Sequence, residues 1–194
     1  MSTQSFLVVV ERQGDAVADI TLELLAAART LADATAGQTI AVVLGGDAAA
    51  QSAELAGADR VVAVNDTLLA EYSPGPYLAV LEHIVRAEGP RVVLIGSTSV
   101  GLDLAPLLAA RLDAPVVGNC RQVAVDGKAV RVEASLCGGK MIADALIEAS
   151  PAVVTLLPGS YRPLAAAQVP AAEAGPSPVP LDVGSVDFEA MIPP

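Results

Sequence analysis

The residues best placed to do chemistry lie together: Gly96, Ser97, Thr98, Ser99, Gly101 and Asp103, in the run GSTSVGLD directly after the apolar stretch Val92, Val93, Leu94 and Ile95. A buried strand running into a small-residue turn and then a helix brings backbone close to a guest at the glycines. It also aims unpaired N–H groups and the positive end of a helix dipole outward. Such a turn suits an anion, phosphate above all. The hydroxyls of Ser97, Thr98 and Ser99 can bind phosphate or cap the helix. Asp103 can hold a ribose hydroxyl or a cation, or it can simply be a carboxylate stabilised by the helix start. Gly138, Gly139 and Lys140 pose the same choice between an anion-binding turn and a plain hairpin turn.

Several familiar chemistries are missing. The spacing of Gly96 and Gly101 is that of a phosphate-binding loop, but Leu102 and Asp103 follow where the mechanism needs Lys and then Ser or Thr. The first apolar run ends in Glu11-Arg12-Gln13-Gly14, which is not the glycine fingerprint of a dinucleotide site. The single histidine, His83, has no second imidazole for a metal centre, and neither Ser97 nor Ser99 sits in a nucleophile elbow. No metal is expected, and a surface or structural place is expected for His83. Cys120 and Cys137 are too far apart for a redox or zinc pair, and both are expected in the core.

Composition narrows the partners. With 11 Lys+Arg against 22 Asp+Glu, the formal net charge of the 194 residues is -11. That balance repels nucleic acid and anionic membrane surfaces. Aromatic residues make up only 3%, too few for base-stacking platforms. Mean hydropathy is +0.55, but no apolar run approaches the roughly 20 residues of a spanning helix. The N-terminus shows no secretory signal, so a cytoplasmic location is expected.

The elements that must position the turn follow from periodicity. Strands are predicted over 6–10, 39–44, 60–64, 92–95 and 153–157, with helices over 20–34, 48–56, 74–88 and 102–112. Leu104, Leu107, Leu108 and Leu112 fall on roughly one side of the last helix. Strand and helix alternate, so the fold class is α/β with a doubly wound, mostly parallel sheet. After Pro115 the rhythm changes to a hairpin, 122–125 and 129–135 around Asp126-Gly127, and then a third strand over 140–148. These form an antiparallel extension. Two regions are expected: an α/β domain over 1–163, and an Ala/Pro-rich arm over 164–194 that ends in an apolar stretch with Val183, Val186, Phe188, Met191 and Ile192.

The run from Gly96 to Leu112, GSTSVGLDLAPLLAARL, resembles the N-terminal domain of the electron transfer flavoprotein alpha subunit. Gly57-Ala58-Asp59-Arg60-Val61, Tyr77, Gly138-Gly139 and Leu157-Pro158-Gly159 agree with the same family, and the resemblance spans about 6–163. It implies a Rossmann-type three-layer fold of the adenine nucleotide hydrolase-like kind. It also implies pairing with a beta-like subunit as a heterodimer, or self-association, in flavin-dependent electron transfer. FAD would be held in the assembled complex by another domain or chain, since no flavin motif follows Pro163. On this view the chain is an electron-transfer component without catalytic residues of its own, a half-subunit that is either a natural short paralogue, the favoured reading, or a fragment. Two basic positions of the family pattern are Leu102 and Leu107 here, which weakens any anion contact at that point. The family's beta subunits bind AMP. A stand-alone AMP-binding module is therefore the alternative, with its site where 10–14 and 96–101 meet if the strand order reverses there. A third class, an enzyme acting on a nucleotide through a Ser or Asp of the turn, lacks both a base and metal ligands.

Overall fold

In the computed structural model, which describes residues 4–14, 16–46, 48, 55–164 and 173–181, the alternation becomes a nine-stranded sheet with helices on both faces. In chain order the elements are β1 (Ser5–Val9), β2 (Arg12–Gln13), β3 (Ala16–Val17), α1 (Asp19–Thr35), β4 (Gln38–Gly45), β5 (Arg60–Asn65), α2 (Pro74–Glu88) and β6 (Val92–Gly96). They continue with α3 (Ser99–Leu112), β7 (Val116–Asp126), β8 (Ala129–Leu136), β9 (Met141–Ile147), β10 (Ala152–Leu156) and β11 (Glu173–Pro176). The short pair β2–β3 forms a separate antiparallel ribbon. The predicted helix over 48–56 falls largely outside the described residues.

The sheet order is β11-β5-β4-β1-β6-β10-β7-β8-β9. β1 pairs in parallel with β4 on one side and β6 on the other, so the direction of winding reverses between β1 and β6. That is where an open parallel sheet splits its loops apart and leaves a crevice. The central strands are apolar throughout because both faces are covered: all five residues of β1, β6 and β10 are buried. α1 covers one face with Leu24, Leu25 and Leu31, each 1% exposed or less. α2 and α3 cover the other with Leu81, Leu104 and Leu108. Each such side chain contributes about 1.5–3 kcal/mol by leaving water.

α2 begins at Pro74 and ends at Glu88 as its sequence signals require, with Gly89 in the left-handed conformation after it (φ 55°). α3 starts a turn earlier than its apolar periodicity indicates, because Thr98 caps it by accepting a bond from the Gly101 amide at 3.1 Å. Its buried set is Gly101, Leu104, Ala105, Leu108 and Ala109, a regular three-and-four spacing. Leu107 lies off that stripe and is 40% exposed, so the four-leucine face is corrected to Leu104 and Leu108, with Leu112 partly buried.

From β7 onward the sheet turns antiparallel, β7 with β8 and β8 with β9, in agreement with the hairpin extension. The stretch 140–148 is a strand, as expected. Val123, Val130, Val132 and Ile147 are buried against α1's side of the sheet. The outer side stays in water, with Arg131 bridging Asp126 (2.8 Å) and Asp144 (2.6 Å). Past residue 163, where the Ala/Pro-rich arm is expected, residues 173–181 are described. β11 adds in parallel to β5, from Glu173 beside Val62 to Pro176 beside Asn65, and Val179 and Leu181 pack on the α2/α3 core. The apolar stretch 183–192 lies outside the described residues.

Candidate functional site

Between the ends of β1 and β6 lies a cavity of about 440 Å³, bounded on one side by 9–14 and on the other by Ile95, Val100 and Leu104. Where 10–14 and 96–101 are expected to meet, the lining takes Val10, Glu11, Arg12 and Gly14 from the first stretch but only Val100 from the second, and none of Gly96, Ser97, Thr98, Ser99, Gly101 and Asp103. Its floor is aliphatic. Its outer wall is a pair of tyrosines, Tyr72 and Tyr77, with ring centroids 5.1 Å apart and rings nearly perpendicular at 74°. That edge-to-face contact suits the ring quadrupoles.

The six residues singled out from the sequence divide between several tasks. Gly101 is a packing requirement. A Cβ there would stand 1.8 Å from the Gly96 carbonyl oxygen, so only glycine lets α3 leave the end of β6 at this angle. Gly96 makes room, since a Cβ would meet Glu11 Oε1 at 2.6 Å and Ile20 Cγ1 at 2.8 Å. Ser97 faces away from the crevice, with its hydroxyl 2.6 Å from that of Thr155 in β10 and its amide donating to the Leu156 carbonyl. Thr98 is the cap and also donates to Glu11 Oε2 at 2.7 Å. Ser99 is exposed in the first turn of α3. Asp103 accepts the Tyr72 hydroxyl at 2.6 Å and so braces the aromatic wall. Burial and the Asp103 carboxylate push the Tyr72 hydroxyl well above the ordinary tyrosine range, keeping it a neutral donor.

The polar groups that face the cavity most directly were not among the six. Glu11, at the end of β1, is clamped by Thr21 of α1. Its amide donates to Thr21 Oγ1 at 2.9 Å, and that hydroxyl donates back to the Glu11 carbonyl at 3.1 Å. Burial raises the Glu11 carboxyl above its ordinary value, with the Thr98 hydroxyl and the Gly96 backbone pulling the other way. Oε1 is buried without a hydrogen bond of good geometry. Arg12 turns its guanidinium to the carbonyls of Leu69 and Ala70. The signal for both residues is present in the sequence as a charged pair directly after an apolar strand, the position where a switch-point loop begins.

A second loop receives the same treatment. After β10, the amides of Gly159 and Tyr161 donate to the two carboxylate oxygens of Glu23, at 2.9 and 3.1 Å. The Tyr161 hydroxyl ties the loop to β7 through both backbone groups of Val123.

His83 is exposed on α2. Among the described residues no cluster of three or more His, Cys, Asp or Glu could hold a metal ion, and no helix is long and apolar enough to cross a membrane. Cys120 is a core residue whose thiol burial pushes up to about 12, which makes it inert at neutral pH. Cys137, also expected in the core, is exposed. It sits at φ 51° in the tight turn before Gly138 and Gly139, where the chain reverses between β8 and β9 and no core reaches it.

Compared with known proteins, residues 6–180 match the electron transfer flavoprotein domain. The chain belongs to the electron transfer flavoprotein family. It is similar to the electron transfer flavoprotein subunit alpha of Clostridium acetobutylicum, 30% identical over 162 residues, covering 81% of this chain and 48% of that protein. The subunit alpha of Bacillus subtilis is 32% identical over 136 residues, 69% of this chain and 41% of that protein. Protein FixB of Azorhizobium caulinodans is 34% identical over 124 residues, 61% of this chain and 34% of that protein. The chain thus spans about half the length of the curated electron transfer flavoprotein relatives it matches. The match runs through β11, so the added edge strand lies within the family domain.

Proposed function

We propose that this chain is a structural subunit of a flavin-dependent electron-transfer assembly, of the alpha type, which pairs with a beta-like chain as a heterodimer. The match of the electron transfer flavoprotein domain over residues 6–180 carries this reading. Flavin in the form of FAD is supplied to the complex by another domain or chain, and the assembly works in the cytoplasm. Residues 1–163 are the body of the subunit and 164–194 its arm, with β11 the part that returns to the sheet.

Two features support the pairing. Among the described residues β9 is an edge strand with a neighbour on one side only, and it exposes Met141 (58%), Ile142 (50%) and Leu146 (55%) beside Leu136. An exposed apolar edge of this kind is a ready template for pairing with another chain. Among the described residues around the crevice, the candidate nucleophile and acid are engaged within the chain. Ser97 faces Thr155, and Asp103 is occupied by Tyr72.

The alternative is a stand-alone module for AMP at the crevice, with Gly96, Ser97, Thr98, Ser99, Gly101 and Asp103 as its ligands. The cavity has the volume for a nucleoside. The orientation of Ser97 and the carboxyl of Glu11 beside the cap speak against the phosphate part.

The test is reconstitution. The full chain is mixed with the beta-type electron transfer flavoprotein subunit of the same cells and its mass measured by sedimentation. A stoichiometric heterodimer is expected. A chain that stays monomeric, or pairs only with itself, in the presence of each beta-type subunit overturns the proposal.

A further inference from the structure

We propose that Glu11 is a built-in occupant of the anion position at the head of α3, which closes the switch-point crevice to phosphate-bearing ligands. The crevice has what a phosphate site needs in its backbone: a topological switch, a glycine turn and a fresh helix start. Beside that start lies the chain's own carboxylate, on the hydroxyl of the capping Thr98.

Three elements hold it in place. β1 delivers Glu11 at its end, Thr21 of α1 fixes both its backbone groups, and Thr98 of the turn donates its hydroxyl to Oε2 at 2.7 Å. Thr98 is also the cap of α3, so the carboxylate reaches the helix dipole through the capping hydroxyl. Gly96 is the cradle, since any side chain there would strike Oε1. The cation that could compensate an incoming phosphate, Arg12, is engaged by the carbonyls of Leu69 and Ala70. A second carboxylate, Glu71, lines the cavity, and a third, Asp103, holds the hydroxyl of the lining Tyr72. A phosphate would meet fixed negative charge where the backbone would otherwise welcome it.

The loop after β10 repeats the device. Two amides that could have gripped an anion bind Glu23 instead. The inference is independent of the electron-transfer proposal, because it concerns which ligands the crevice refuses and holds whatever partner the chain has.

The experiment is calorimetric titration of the full chain with inorganic phosphate, AMP and adenosine, for the wild type, Glu11→Ala and Glu11→Gln. Wild type is expected to bind phosphate and AMP only weakly. Glu11→Ala removes charge and bulk, and is expected to bind AMP at least about tenfold more tightly than wild type, and more tightly than adenosine. Glu11→Gln keeps the bulk and is expected to gain about threefold. AMP binding by wild type as tight as by Glu11→Ala overturns the proposal, as does the absence of any gain in both variants. Should Glu11→Ala melt below the assay temperature, Glu11→Gln decides: a gain supports the proposal and no gain overturns it.

Discussion

The parallel half of the sheet and its antiparallel extension use the same residue types to different ends. In β1, β6 and β10 every residue is buried, and the polar groups around their ends are bound inside the chain: Glu11 to Thr98, Ser97 to Thr155, Tyr72 to Asp103. In β8 and β9 one face is buried, while Met141, Ile142 and Leu146 are exposed on β9, an edge strand among the described residues, and Leu136 is exposed at the end of β8. The first region is closed on itself and the second is open. The polar groups named at the switch point are paired within the chain, Glu11 Oε1 excepted, whereas the extension leaves apolar side chains exposed.

The largest effect should come from the core of the closed half. Leu94, fully buried in β6, has no space to collapse into between two helical layers. Leu94→Ala is expected to cost about 2–5 kcal/mol in denaturant unfolding. Leu146→Ala on β9, already 55% exposed, should stay within about 0.5 kcal/mol. Equal losses would abolish the distinction between the two regions.

Next in size is Gly101→Ala. With the Gly96 carbonyl 1.8 Å from the new Cβ, α3 must move, and a loss of about 1–3 kcal/mol is expected from the melting temperature. Gly118→Ala in β7 is the control, because its nearest neighbour would be Thr155 Oγ1 at an ordinary 3.6 Å. Glu23→Ala then leaves the amides of Gly159 and Tyr161 without their partner, for about 1–3 kcal/mol.

The smallest change in stability should be a gain. The Glu11 carboxyl is raised in the folded state by burial, so the fold favours its protonated form. Its contribution is therefore greatest below the unfolded value and declines as pH rises from there through the folded one. Glu11→Gln removes that decline, so the variant should melt higher than wild type at neutral pH and match it more closely in acid. A lower melting temperature for Glu11→Gln at neutral pH would show that the charge stabilises the fold. A residue kept at a cost in stability is what a specificity role predicts.

Much of this architecture was legible in the sequence. The parallel strands are continuous apolar runs, Pro74 and Gly89 mark both ends of α2, and Asp126-Gly127 marks the hairpin, because each follows from local periodicity or backbone preference. The crevice could be located from strand order alone. Its occupant could not, since the pairing of Glu11 with Thr98 joins residues 87 positions apart. Ser97, in a row of three hydroxyls, reads as a ligand until Thr155 of a distant strand is seen beside it. Cys137 and Leu107 were misplaced for a related reason: burial depends on what lies across from a residue, and a turn tip and the outer flank of α3 have nothing across from them. β11 was hidden because Ala and Pro carry no strand signal, and its position comes from the open edge of β5.

The β9 edge is the proposed meeting place with a beta-like chain in a flavin-carrying complex. The most direct measurement is the mass and visible absorbance of the complex formed by the full chain in its native cells, for the wild type and for Leu146→Lys. A yellow complex that contains a beta-type subunit with the wild type, and is depleted at least about tenfold with Leu146→Lys, is the predicted result. A colourless chain without that subunit, or a complex untouched by the β9 charge, would contradict it.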